Sequence, residues 1–281
     1  MNKLIDGQKI ANAINTRTRA KVRALSRKGI VPKLAIIMVG NDPASRMYVG
    51  RKQKLAASLG VDCVLHTFPS NIKKSELITQ LKKIQTDDKL SGLIIQLPLP
   101  ERLYDRSILN CINPELDIDF LTDVSLGSLV SKNYTLEPPT ASAMLEVLRS
   151  LKINLVGKKV VVVGAGVLVG RPLAMLLLND RATVTVCNSV TKNLGAVCRE
   201  ADIVITAVGK ANLVRGSMLK KDAIVVDAGF SLVNGKVVGD VHVAEAVRVA
   251  RFVTPTPGGV GPITVAKLLY NVASAAASKI K

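Results

Sequence analysis

The sequence predicts an α/β protein of two domains, each around a mainly parallel sheet. Three observations predict it. Short apolar runs alternate with helix-periodic segments, first over residues 34–97 and again over 159–227. Such alternation implies parallel strands joined by right-handed crossovers. The length of 281 residues suits two domains at roughly 150 residues each. Between the two series stands Glu137-Pro138-Pro139-Thr140, a proline-rich boundary. The expected domains are residues 1–138 and 139–261, followed by a terminal helix over 262–281.

In the first series, Leu34–Val39, Val61–Phe68 and Gly92–Leu97 read as strands. Helical patterns lie near 8–28, 43–60 and 74–86. Asp42-Pro43 starts the second of these, with aspartate as N-cap and proline at the first helical position. The second series opens with a helix over 141–150. Strands follow near 159–163, 182–187, 202–207 and 223–227, with helices between. Asn234-Gly235 separates Leu232-Val233 from Val237-Val238 and signals a hairpin. The alanine-rich end of the chain reads as a helix.

Composition narrows the function. The chain is 48% hydrophobic and 21% charged, enough to bury a core. No run of 18 apolar residues exists, so no membrane span is expected. Asp6 and Lys9 stand where an export signal needs an apolar centre. A cytoplasmic protein is therefore expected. Four scattered cysteines form no C-x-x-C pair, and only two histidines exist. No metal site, disulfide framework or Ser-His-Asp catalysis is suggested. A net charge of +18 points to anionic ligands such as phosphates or carboxylates. The densest basic stretch, Arg17 to Lys28, reads first as a solvated helix face. With 3% aromatic residues and no tryptophan, stacking platforms for nucleic acid are scarce, and no nucleic-acid partner is expected.

The second domain carries a phosphate-loop signal. Val160–Val163 is a buried strand that runs into Gly164-Ala165-Gly166-Val167-Leu168-Val169-Gly170, then a helix with Arg171 and Pro172. Glycines let the backbone turn close to a pyrophosphate, and a helix N-terminus offers free N–H groups. The spacing G-x-G-x-x-x-G is one residue longer than the usual dinucleotide fingerprint. A glycine turn that binds nothing is the plain alternative. The next strand ends in Asn188-Ser189, followed by Thr191 and Lys192, without the acid that usually holds the ribose of NAD. Its absence leans towards NADP, with NAD still open.

The first domain carries an anomalous lysine. Tyr48, Lys52, Leu55 and Leu59 fall on one helical stripe, so Lys52 stands where a leucine is expected. Desolvation lowers an ammonium pKa, which suits a lysine that exchanges protons. A lysine whose stem packs while its head reaches water is the alternative. The helix start and Gln96 both lie at the carboxyl edge of the sheet, where open α/β folds bind ligands. In extended chain, Asp117 and Asp119 would face one side; turn or cap residues are the other reading. Pro257, Gly258 and Gly259 belong to a proline- and glycine-dense loop, 254–264, that can press its backbone against a ligand or serve only as a linker.

In order along the chain, these pieces resemble the bifunctional methylenetetrahydrofolate dehydrogenase/cyclohydrolase family. The marks are Val39-Gly40-Asn41-Asp42-Pro43-Ala44-Ser45 with Tyr48-x-x-x-Lys52, Gln96-Leu97-Pro98-Leu99-Pro100, Asp117-Ile118-Asp119, Val169-Gly170-Arg171-Pro172, Val238-Gly239-Asp240-Val241 and Pro257-Gly258-Gly259-Val260-Gly261-Pro262-Ile263-Thr264. The resemblance implies two α/β domains with a cleft between them, the second Rossmann-like. The terminal helix would return to the first domain, and the cofactor domains would form a homodimer. It implies oxidation of 5,10-methylenetetrahydrofolate by NADP, then hydrolysis of the methenyl product to 10-formyltetrahydrofolate. Lys52 would serve the hydrolysis, Gln96 would position it, Tyr48 would stack on the folate and Asp119 would hold the pterin. Ser45, Leu97, Pro98, Pro257, Gly258 and Gly259 would also touch substrate. Gly164, Ala165, Gly166, Val169, Gly170, Arg171, Asn188, Ser189, Thr191, Val208, Gly209 and Gly229 would hold the cofactor.

The chain departs from the family pattern in places. Pro138-Pro139-Thr140-Ala141 replaces Pro-Cys-Thr-Pro, Phe120 replaces a glycine, and Gly166 stands where serine is usual. Asn188-Ser189-Val190 replaces His-Ser and a basic residue, and Asp227-Ala228-Gly229-Phe230-Ser231 replaces Asp-Val-Gly-Ile-Asn. Most changes fall around the cofactor. They leave a cyclohydrolase alone, or a non-catalytic folate- or nucleotide-binding protein, as the alternative.

Overall fold

A computed structural model describes residues 3–279. They fall into two compact units. One joins the chain up to Asn12 with Thr140–Thr264, and the other joins Ala13–Pro139 with the residues from Val265 onward. Two helices run from one unit into the other: α1, Gly7–Ser26, and the terminal helix, Val260–Ser278.

The Ala13–Pro139 unit contains β1 (Lys33–Val39), α2 (Pro43–Leu59), β2 (Asp62–Phe68), α3 (Lys74–Ile84), β3 (Gly92–Ile95), α4 (Arg106–Leu109) and α5 (Asp123–Val130). Its sheet is parallel, in the order β2-β1-β3, with Leu34 opposite both Cys63 and Gly92. β1 is central, and six of its seven residues are buried. A parallel strand covered on both faces reads as a continuous apolar run, as Leu-Ala-Ile-Ile-Met-Val does. Leu34, Ile36 and Met38 pack with Val49, Ala56 and Leu59 of α2 and with Leu268, Leu269 and Val272 of the terminal helix. At Gly92 a Cβ would lie 2.9 Å from Ile118, so the glycine admits that side chain against the strand.

Local chemistry fixes α2 as the sequence predicts. The Asp42 carboxylate accepts the Ser45 N–H at 2.7 Å, Pro43 opens the helix, and Gly60 closes it in the left-handed region at φ 78°. An N-cap of this kind is worth about 1 kcal/mol.

The other unit contains α6 (Pro139–Ser150), β4 (Lys159–Val163), α7 (Gly170–Asn179), β5 (Thr183–Cys187), α8 (Leu194–Arg199), β6 (Ile203–Thr206), β7 (Ile224–Asp227), β8 (Ser231–Val233), β9 (Lys236–Val238), α9 (Val243–Val249), β10 (Phe252–Val253) and only the first turn of α10, the terminal helix, whose remainder belongs with Ala13–Pro139. Its five-stranded sheet is parallel, in the order β10-β7-β6-β4-β5. β5 and β6 lie on opposite sides of β4, so the chain reverses direction there. That reversal is the switch point beside which open α/β sheets bind ligands. β8 and β9 form the expected hairpin, with Asn234 and Gly235 both at positive φ, as a type I′ turn requires. Residues 3–5 run alongside β10. The Ile5 N–H donates to the Val253 carbonyl, and the Val253 N–H donates to that of Lys3.

The structure differs from expectation in three places. β3 stops at Ile95, so Gln96 and Leu97 begin a loop. Residues 117–119 are not extended: Ile118 and Asp119 form a turn. The inward line of α2 is Ser45, Val49, Ala56 and Leu59, with Tyr48 and Leu55 only partly buried at its flank. Lys52 keeps its place on that line, three residues after Val49 and four before Ala56. Among the described residues no helix is long and apolar enough to cross a membrane.

Candidate active site

In the Ala13–Pro139 unit the structure brings Lys52, Gln96 and Asp119 together. Lys52 projects from the middle of α2, and its Nζ donates to Gln96 Oε1 at 3.0 Å. Gln96 follows β3 directly, and its Nε2 donates to the Leu97 carbonyl at 2.7 Å. That second bond orients the amide so that its oxygen faces the lysine. Leu97–Pro98 is a cis peptide bond, and Pro98 is exposed.

Burial pushes the Lys52 ammonium below the ordinary lysine value, while the Asp119 charge and, more weakly, Cys63 pull it back. Burial raises Asp119 to about 6 despite Lys52, and Asp117 adds to the rise. The pair therefore holds its charges reluctantly, which is how a fold tunes groups for proton exchange near neutral pH. Asp117 takes the plainer role. Its two oxygens accept the Leu121 and Thr122 N–H groups at 2.9 and 2.8 Å, capping the turn into α5. Tyr48 is partly buried one helical turn before Lys52, with the Arg51 guanidinium 5.8 Å from its ring. Burial raises its hydroxyl pKa. Ser45 is buried at the first turn of the same helix.

In the Thr140–Thr264 unit the glycine loop leaves β4 and enters α7. Gly164 has φ 120°, and a Cβ there would meet the Ala207 carbonyl oxygen at 2.7 Å. A Cβ on Gly170 would lie 1.8 Å from the Gly164 oxygen, so only glycine lets the helix start this close to the loop. A Cβ on Gly166 would meet nothing within 4 Å. Open space over that backbone, at a helix N-terminus, fits a pyrophosphate. Arg171 Nε donates to the Ala165 carbonyl at 3.0 Å and braces the loop. After β5, the Asn188 side chain accepts the Val190 N–H at 3.1 Å, and the Asn188 backbone N–H donates to Thr191 Oγ1 at 2.9 Å. Asn188, Ser189 and Lys192 are exposed there, and no acid stands among them. Val208 and Gly209 follow β6, and Gly229 follows β7. All these residues therefore sit at the carboxyl ends of β4, β5, β6 and β7. Pro257, Gly258 and Gly259 belong to this same unit. Thr256–Pro257 is cis, and the Gly258 carbonyl accepts the Gly7 N–H at 3.0 Å.

Sequence reasoning quoted two buried acids here within longer motifs but gave neither a role. Asp227 and Asp240 lie in the core of this unit. An aspartate at a strand end or after a glycine looks like an ordinary turn residue, so neither stood out as a functional group.

Two family models match the chain: the tetrahydrofolate dehydrogenase/cyclohydrolase catalytic domain over residues 5–119 and its NAD(P)-binding domain over 138–280. The chain belongs to this family. It is 41% identical over 280 residues to the bifunctional protein FolD of Acetivibrio thermocellus, covering 99% of this chain and 98% of that protein. It is 42% identical over 269 residues to the protein of the same name from Heliobacterium modesticaldum, covering 95% and 94%. The Campylobacter jejuni FolD methylenetetrahydrofolate dehydrogenase/cyclohydrolase superposes with a TM-score of 0.96 at 37% identity, covering 99% of each chain. The Trypanosoma brucei methylenetetrahydrofolate dehydrogenase-cyclohydrolase, solved with NADP and an inhibitor, gives 0.94 at 36% identity, covering 99% of this chain and 98% of that one. Membership in the tetrahydrofolate dehydrogenase/cyclohydrolase family thus extends over both units.

Proposed function

We propose that this chain oxidises 5,10-methylenetetrahydrofolate to the 5,10-methenyl form with NADP and then hydrolyses that product to 10-formyltetrahydrofolate. The observation that carries the reading is the Lys52–Gln96 hydrogen bond beside Asp119, in a chain whose other unit bears an open glycine loop. The cyclohydrolase-only and non-catalytic alternatives are not favoured, since the family models cover both halves.

Each residue has a role in this reading. Asp119 accepts hydrogen bonds from the pterin, and the Tyr48 ring stacks on the folate. Ser45, Leu97, Pro98 and the Pro257–Gly259 loop complete the substrate contacts. A nicotinamide held by this chain would supply the hydride acceptor. In the hydrolytic step, neutral Lys52 takes a proton from the water that attacks the methenyl carbon. It returns that proton to the folate nitrogen whose bond to that carbon breaks, while the hydroxyl on the carbon releases its own proton to solvent as the formyl C=O forms. Gln96 accepts a Lys52 N–H throughout and so aims the lone pair. The Gly164–Gly170 loop and Arg171 hold the dinucleotide phosphates. Asn188, Ser189 and Thr191 form the 2′-phosphate end, and the absence of an acid there supports NADP over NAD. Val208, Gly209 and Gly229 line the remaining edge.

The reading also includes a homodimer through the cofactor unit and a cytoplasmic setting. β5 is an edge strand with Val186 41% exposed, and an unpaired apolar edge favours pairing with a second copy. Four free cysteines suit a reducing compartment. Light scattering of the wild type and of Val186→Lys tests the dimer; a monomeric wild type overturns it.

The activity is tested by an anaerobic assay with 5,10-methylenetetrahydrofolate and either NADP⁺ or NAD⁺, beside a cuvette following loss of methenyltetrahydrofolate. Reduced cofactor with NADP⁺ and accelerated methenyl loss are expected. Lys52→Ala is expected to slow hydrolysis by roughly 10²–10⁴-fold, the usual worth of a positioned acid–base group, with its circular dichroism unchanged. Wild-type hydrolysis in that variant removes Lys52 from the mechanism.

A further inference from the structure

Asp227 and Asp240 contact neither of the proposed reacting centres, yet both are buried, with exposures of 1% and 0%. Their hydrogen bonds are almost all to loop backbone. Asp240 Oδ2 accepts the Val208 N–H at 2.6 Å, and its Oδ1 accepts the Lys210 N–H at 2.7 Å. One carboxylate thus straddles Gly209, which sits at φ 75°. Among the described residues, the Gly209 N–H between those two has no acceptor. Asp227 Oδ1 accepts the Gly229 N–H at 2.8 Å and the Thr206 hydroxyl at 2.8 Å; its Oδ2 accepts the Val241 N–H at 3.0 Å. The Asp240 N–H also donates to Asp227 Oδ1, at 3.2 Å.

Glycines make room for this pair. A Cβ on Gly229 would lie 2.1 Å from the Asp240 carboxyl carbon, and one on Gly239 would lie 2.0 Å from Asp227 Oδ2. The loops after β6 and β7 are therefore bolted to each other. Through the Gly164–Ala207 approach, the phosphate loop rests on the same bolt. Two adjacent buried acids are a costly way to stabilise a core, and apolar side chains would do it at lower cost. What apolar groups cannot do is fix the direction of five backbone N–H groups, three of them (Val208, Lys210 and Gly229) in loops at the ligand-binding edge of the sheet.

We propose that Asp227 and Asp240 are positioning residues for the dehydrogenase half, setting the 207–210 and 228–230 loops so that the Gly209 N–H is aimed at the bound dinucleotide. The inference rests on the NAD(P) reading given above. Asp240→Asn keeps the size of the side chain but turns one acceptor into a donor facing an N–H. NADPH titration by its own fluorescence is expected to show a Kd raised at least tenfold, and the KM for NADP⁺ is expected to rise with it. A charge-assisted hydrogen bond is worth about that much. Cyclohydrolase turnover, which uses Lys52 in the other unit, is expected to stay within about twofold on the same scale.

Thr206→Val removes a single donor from Asp227 and is expected to raise the Kd about threefold, in keeping with one neutral hydrogen bond. It serves if Asp240→Asn does not fold. NADPH affinity within twofold of wild type in a folded variant overturns the inference. So does a parallel loss of both activities with early melting in both variants, because the pair would then serve folding alone. Wild-type protein that binds neither NADPH nor NADH sinks the nucleotide reading itself, and that result precedes any variant.

Discussion

At Lys52 a neutral amide, not a carboxylate, accepts the N–H at 3.0 Å. That choice keeps the ammonium easy to deprotonate. Gln96→Glu would place a negative charge there and hold the proton. The pH profile of hydrolysis is expected to move upward, and the rate at pH 7 to fall about tenfold for each unit of upward shift. A profile unchanged in the variant contradicts the base role. Asp119 works in the opposite sense. With its carboxyl at about 6, the charged form that would bind the pterin is lost below that pH. The KM for the folate substrate is expected to rise on the acid side of 6, and Asp119→Asn to lose this dependence. Stability has its own sign. Between the ordinary value of 3.8 and about 6 the native state holds more protons than the unfolded chain. The contribution of Asp119 to stability is therefore greatest in acid and falls as pH rises through that window. In urea melts, Asp119→Asn is expected to gain on the wild type as pH goes from 4 to 7. Lys52 was legible in the sequence because a charge on an apolar helical stripe breaks a pattern. The contrast between Asp117 and Asp119 was not, since both sit in one short turn and only burial and neighbours separate a cap from a titrating group.

Helices and strands with a strong period were legible nearly to the residue. Lys33–Val39 and Pro43–Leu59 follow from an apolar run and an Asp-Pro start. β10 was not, because two residues give no period and Phe252-Val253 becomes a strand only by pairing with β7. The phosphate loop was legible as glycine, but not which glycine is structural. The geometry separates them. Gly170→Ala would drive a methyl into the Gly164 carbonyl and is expected to weaken NADPH binding at least tenfold, the scale of a backbone clash that shifts the loop. Gly166→Ser meets open space and is expected to change the urea midpoint by no more than about 0.5 kcal/mol. Equal effects of the two substitutions would mean that the loop is not held as described. A departure from the family pattern at residue 166 is thus tolerable to the fold.

Over the whole molecule, the charge of +18 acts at long range. Substrate and cofactor are anions, so KM values for both are expected to rise between about 0.05 and 0.3 M salt as the Debye length shrinks below roughly 10 Å. Salt-independent KM values would leave the charge without a role in capture. The two α/β units were legible from the repeated strand–helix series. That residues 3–5 pair beside β10 was not, because no local pattern links segments so far apart. That pairing governs how the protein is made. The Lys3–Ile5 segment meets Val253, and Gly7 meets Gly258, nearly the whole chain later. During synthesis these first residues leave the ribosome long before their partners exist. The cofactor unit cannot close its sheet edge, or brace the 257–259 loop, until residues 253–258 have been made. Such long-range closure is slow and leaves an edge exposed while it waits. A change in residues 3–7 therefore acts on the 257–259 loop, about 250 residues away.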